Sequence, residues 1–158
     1  MSISEVLVKR YFEAMETGDD ALFDEVYAEE AVFYTPFSYA VRGRFFIKMF
    51  AVQFRQGFPG ARMALHDEFT SADGTRACFR IVLHWHNTGS YFGHAATQLK
   101  GRTTETHTVR IEDERIVEHW VGVNTLPLTH LEAVTWEMDF AKDAEDPQPE
   151  ILVANVPA

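Results

Sequence analysis

Glu105, His107 and His119 stand close together in the stretch ETHTVRIEDERIVEHWVGVN, and these side chains can exchange a proton with carbon or oxygen. The acids Glu112, Asp113 and Glu114 separate two runs of alternating apolar and polar residues, 103–111 and 115–124, which predicts a β-hairpin. With those acids as a three-residue turn, Ile111 faces Arg115, His107 faces His119 and Glu105 faces Val121. All four of the latter then share an apolar face with Val109, Val117 and Val123, while Thr106, Thr108, Arg110, Glu118 and Trp120 take the other. A two-residue turn would set His107 against Trp120 and send His119 to the opposite face. On an apolar face a carboxyl gains proton affinity and an imidazole loses it, and groups driven apart in this way suit acid–base catalysis. The competing reading is a pair of core histidines satisfied by hydrogen bonds.

The other histidines carry less. His84 and His86 have the spacing of two ligands on one strand face. Phe79, Ile81, Leu83 and Trp85 form the apolar alternate set, so both should face outward with Arg80, and no metal site is expected. His66, His94 and His130 read as surface or loop residues. Cys78, the single cysteine, excludes an internal disulfide and reads as a small buried side chain. The sequence has no nucleophile elbow, phosphate loop or dinucleotide fingerprint, and no cofactor is expected.

The elements that must position the trio can be read outward from it. Ser2 and Glu5 have capping-box spacing, and Leu7, Val8, Tyr11, Phe12 and Met15 line one face of a first helix that Gly18 stops. Asp20 can cap a short helix over 21–28, and 31–35 reads as a strand ended by Pro36. Gly43 opens a helix rich in phenylalanine, closed by Gly57 to Gly60; its apolarity demands burial. Strands over 61–70 and 76–87 follow, then a loop over 89–101, the hairpin, and a last helix over 126–140. Helices first and an antiparallel meander afterwards give an α+β fold. The division expected is a pocket domain over 1–131 and a helix end with an acidic tail over 132–158.

At 158 residues the chain can bury a real core, and 13 phenylalanines predict an aromatic one. A net charge of −10 argues against nucleic acid or an anionic membrane as partner. The N-terminus lacks the apolar run of a signal peptide, and a reducing cytoplasm is the expected compartment.

Several segments together resemble the SnoaL-like polyketide (ester) cyclases of the nuclear transport factor 2-like superfamily. They are RYFEAMETGDDALFDEVYAEEAVFYTP, GRFFIKMFAVQFRQGFPG, NTGSYFG, KGR and HTVRIEDERIVEHWVGVNTL, spanning about residues 4–131. The resemblance implies a cone: a strongly curved, mostly antiparallel sheet whose mouth is closed by helices. It also implies a homodimer and a pocket for a small apolar organic substrate. Tyr11, Phe33, Thr35, Phe50, Phe79, Leu83, Trp85, Val121 and Asn124 are the expected substrate-binding residues, with Glu105, His107 and His119 catalytic. His107 matches a histidine of the cyclases, and Tyr11 the oxyanion-hole tyrosine of related isomerases. The isomerase base position is Thr35, which speaks against steroid-type isomerisation. The cyclases' last-strand aspartate falls on Val121 or Asn124, so Glu105 is the candidate to supply that carboxylate from the neighbouring strand. The function implied is a cofactor-free ring closure, aldol-type or epoxide-opening, on a polyketide-like intermediate. The alternative is a non-catalytic binding or assembly module of the same fold.

Overall fold

The computed structural model describes residues 2–36 and 38–123. Helix α1 (Ile3–Thr17) begins at the expected capping box, Ser2 and Glu5 each satisfying the other's backbone N–H. It ends where Gly18, at φ 72°, turns its N–H back to the Ala14 carbonyl. Leu7, Val8, Tyr11, Ala14 and Met15 form its buried stripe. Helix α2 (Asp20–Val26) is capped by Asp19, one residue earlier than expected, through its carboxylate and the Ala21 N–H. It stops at Val26, and Tyr27 already has extended dihedrals and begins strand β1 (Tyr27–Thr35).

A strand that the sequence reading did not anticipate follows. Strand β2 (Ser38–Arg42) folds back antiparallel onto β1. Helix α3 (Phe45–Gly57) then buries Phe46, Ile47 and Ala51. The rest is strands: β3 (Arg62–Thr70), β4 (Arg76–His86), β5 (Lys100–Glu112) and β6 (Arg115–Val123). They form one six-stranded sheet in the order β2-β1-β6-β5-β4-β3. Each neighbouring pair is antiparallel except β1 and β6, which run parallel. The sheet is curved and unclosed, and with the three helices it makes an α+β fold. Bulges in β1, β3 and the β5–β6 hairpin are where such a sheet bends.

Burial alternates cleanly along β4. Ala77, Phe79, Ile81, Leu83 and Trp85 point in, while Arg80, His84 and His86 are exposed as expected. Cys78 lies on the outer face, half-buried rather than buried. The inward side chains meet those of α1 and α3 in one core that includes Leu7, Tyr27, Phe33, Phe46, Phe79 and Ile116.

The segment between β4 and β5 is tied to the end of α3 by buried Asn87. Its amide donates to the Gly57 carbonyl (2.9 Å) and the Gly89 carbonyl (3.1 Å), and its oxygen accepts from the Thr97 N–H (2.7 Å). Gly89 comes so close to α3 that a Cβ there would lie 1.9 Å from the Gln56 carbonyl oxygen. Phe92, whose N–H is held by Gln53, places its ring 6.4 Å from that of Phe50.

The hairpin register differs from expectation twice. The turn has two residues, Asp113 and Glu114, both at positive φ (46° and 60°), and Glu112 pairs with Arg115. Positive φ at both central residues is the hairpin-compatible turn geometry. Ile111 then pairs with Ile116, but Arg110 pairs with Glu118, so Val117 is an extra residue on β6. The two one-residue slips add to two, which restores the facing of every later side chain. His119 therefore points inward, opposite Val109 instead of His107; His107 stands opposite Val121, and Glu105 opposite Val123 instead of Val121. Ile116, not Val117, is the fully buried residue at that level. Asn124, His130, the expected helix over 126–140 and the boundary at 131 lie outside the described residues.

Candidate active site

Three adjacent strands bring their polar side chains to one point. Tyr27 comes from the start of β1, His119 from β6, and His107 and Glu105 from β5. Phe33 pairs with His119, and Phe79 with His107, which sets the layer that surrounds them. The Tyr27 hydroxyl is 2.8 Å from His119 Nδ1, His119 Nε2 is 2.8 Å from His107 Nδ1, and His107 Nε2 is 3.1 Å from Glu105 Oε2. Both nitrogens of both imidazoles are thus used in one unbranched chain. Tyr27, His119 and His107 are almost fully buried, while the Glu105 side chain keeps 18% of its exposure.

Aromatic rings surround the chain. Phe79 stacks on His107 at 4.6 Å, Tyr27 lies nearly parallel to His119, and the Tyr11 ring abuts both imidazoles at 5.7–5.9 Å. A buried polar group left without a partner costs about 1–3 kcal/mol, so each link also constrains the fold. Burial pushes the Tyr27 phenol well above its ordinary pKa, reinforced by Tyr11. Burial likewise holds His119 well below the usual histidine range, and the neighbouring His107 adds to it. Tyr11 is raised by burial and by the Glu105 charge, so it stays a phenol.

Glu105, His107 and His119 open onto an apolar cavity lined also by Tyr11, Phe33, Thr35, Phe50, Leu83 and Val121. Those are six of the residues that the sequence placed in a pocket. The other two described ones are elsewhere. Phe79 lies beneath His107, and Trp85 packs with Phe58 and Tyr91 in a second cluster. Asn124 lies outside the described residues. The cavity further includes Met15, Pro36, Phe46, Ile47, Phe54, Met63 and Val123, which the sequence reading did not select. Phe46, Ile47 and Phe54 sit on α3 at helical spacing with Phe50, the signal that could have found them. Tyr27 was also missed, because 21–28 reads as one helix.

Glu105 is the one carboxylate among the described residues that line the cavity. It lies diagonally across from Val121, one of the two positions, with Asn124, on which the resemblance puts the cyclases' last-strand acid. Among the described residues no group of three or more histidine, cysteine, aspartate or glutamate side chains could hold a metal ion. The chemistry available from these residues is proton transfer at the Glu105 carboxyl and hydrogen-bond donation by the Tyr11 phenol.

Comparisons with known proteins agree with this architecture. A family model described as SnoaL-like polyketide cyclase matches residues 5–130. Among solved structures, a SnoaL-like protein from Jannaschia sp. CCS1 superposes with a TM-score of 0.71 at 14% identity, over 84% of this chain and 93% of that one. IdmH from Streptomyces antibioticus gives 0.68 at 22% identity, over 84% and 99%. A SnoaL-like polyketide cyclase from Agrobacterium tumefaciens gives 0.64 at 11% identity, over 84% and 98%. At such identities the likeness speaks for the fold alone. No curated protein matches the sequence.

Proposed function

The chain belongs to the SnoaL-like polyketide cyclase family, and from that premise we propose that it closes a ring in an apolar, polyketide-like intermediate by cofactor-free acid–base catalysis. The observation that carries this reading is the placement of Glu105: a lone carboxylate on an apolar cavity, one oxygen held by a buried histidine. Its other oxygen is available to take a proton from the carbon beside a substrate carbonyl. The resulting enolate carbon attacks a second carbonyl of the same molecule, forming the new C–C bond. The alkoxide so produced recovers the proton from Glu105. Atoms balance without water, oxidant or metal. Tyr11, kept protonated by its surroundings, would donate a hydrogen bond to the enolate oxygen, where charge develops. The apolar walls fold the substrate so that the reacting carbons meet. Aldol-type closure uses Glu105 as a carboxylate base, whereas opening an epoxide would require it to begin as the protonated acid.

The protein is proposed to act as a homodimer packed through the outer face of its sheet. There Tyr34 and Trp120 stack at 3.6 Å and 4°, with Trp120 and Tyr39 still widely exposed.

Proton abstraction can be followed without the natural substrate. A bicyclic β-keto ester in deuterated buffer should exchange its α-hydrogen in the presence of the protein, read by proton NMR. Glu105→Gln should slow that exchange by about 10²–10⁴-fold, the usual worth of a positioned base, while leaving the circular dichroism spectrum intact. Undiminished exchange by the variant overturns the assignment. Binding of the ester with no exchange by either protein would instead point to a module that binds without catalysis.

A further inference from the structure

The chain of four side chains has a direction, and its buried end decides it. Tyr27 is fully buried, and among the described residues its hydroxyl has one hydrogen-bond partner, His119 Nδ1. A phenol that accepted from His119 would leave its own O–H hydrogen with nowhere to go, so the phenol must donate. His119 Nδ1 is then an acceptor and its proton sits on Nε2, which donates to His107 Nδ1. His107 in turn carries its proton on Nε2 and donates to Glu105 Oε2. Each bond uses one proton and each imidazole carries one.

We propose that Tyr27 is the positioning residue of this site: by donating to His119 it fixes both histidine tautomers and so keeps His107 Nε2–H aimed at Glu105 Oε2. Only the catalytic meaning of these tautomers rests on the proposed role of Glu105 as the base; their direction rests on the buried phenol's need to place its hydrogen. Reversing the chain would demand a protonated Glu105 that donates to His107, which is the wrong starting state for a base. Tyr27 thus acts on the reacting carboxyl from three hydrogen bonds away without touching substrate. No other titratable side chain hydrogen-bonds to the chain among the described residues; Tyr11 meets it through ring contacts.

The test is nitrogen-15 NMR of the full protein labelled in histidine, at pH 7–8, with the two signals assigned by their loss in His107→Gln and His119→Gln. In the wild type both buried histidines should show a pyrrole-type Nε2 and a pyridine-type Nδ1. In Tyr27→Phe the preference should relax, giving a measurable share of the opposite tautomer at His119 and His107. The rate of α-hydrogen exchange should fall, with the apparent KM little changed. A wild-type His119 protonated on Nδ1 overturns the proposal, even if Tyr27→Phe fails to fold. Tautomers and exchange rate unchanged in a folded Tyr27→Phe overturn it too. Failure of the underlying reading is separable: exchange that survives Glu105→Gln removes the base without altering the wild-type tautomers.

Discussion

Replacing Tyr27 and His119 singly and together should expose the energetic coupling of the buried chain. Tyr27→Phe removes one hydroxyl and leaves the His119 Nδ1 lone pair without a partner, in a site from which solvent is excluded. An orphaned buried acceptor costs about 1–2 kcal/mol. His119→Leu keeps much of the volume but orphans two groups at once, the Tyr27 O–H and His107 Nδ1. At about 1–3 kcal/mol for each, the expected loss is about 2–6 kcal/mol, a large share of the ~5–15 kcal/mol that holds a domain folded. The double variant contains neither the phenol hydroxyl nor the His119 imidazole, so two of the three orphans, the Tyr27 O–H and His119 Nδ1, are gone and only His107 Nδ1 remains. Its destabilisation should fall short of the sum of the single changes by about 2 kcal/mol or more. The assay is urea unfolding followed by tryptophan fluorescence and circular dichroism, at one fixed protein concentration for all four proteins. Additivity within about 0.5 kcal/mol would refute the direct Tyr27–His119 bond and the accounting built on it.

Two further outcomes follow from features of the same sheet. His119 is neutral in the folded state, with its pKa held well below the ordinary 6.5. The unfolded chain therefore binds the extra proton as pH falls below about 6.5, and stability should decline there by up to about 1.4 kcal/mol per pH unit, levelling off above it. Thermal melts between pH 5 and 8 check this, and a His119→Leu protein that keeps the same slope would refute it. Trp120→Glu, which places a charge in the exposed Tyr34–Trp120 stack, should convert a species of twice 18.1 kDa into one of 18.1 kDa in light scattering. A wild type that is monomeric at working concentration removes the proposed homodimer.

Much of the site was legible because alternation along a strand is a strong physical signal. Residues 103, 105, 107, 109 and 111 share a face by the pleat alone, whatever they pair with. The inward facing of His119 was reached from the right parity and the wrong register. The turn gave up one residue and the Val117 bulge supplied one, and neither leaves an unambiguous mark in the sequence. The adjacent pair Ile116-Val117, two β-branched residues between Arg115 and Glu118, is the trace of the bulge, since strict alternation cannot bury both. Tyr27 was illegible for another reason. The run ALFDEVYA satisfies helical propensity throughout, and only the pairing of Tyr27 with Ile116, a partner 89 positions away, ends the helix at Val26. Strand β2 escaped because Pro36 and Gly43 both read as boundaries and leave few residues between them. Pairing with β1 makes the strand, and local preference does not.

The strand order has a consequence for how the protein comes into being. β6 is the last described strand to be synthesised, yet it lies in the middle of the sheet, between β1 and β5. Until it emerges from the ribosome, the β1–β2 pair and the β3–β4–β5 meander have no strand in common. Tyr27 and His107 are both made long before His119, the side chain that joins them, and each must wait beside an unpaired strand edge. Such late closure of distant partners makes folding slow and leaves a nascent chain exposed to mispairing. A chain stopped short of residue 115 would hold both halves of the proton chain and none of its centre.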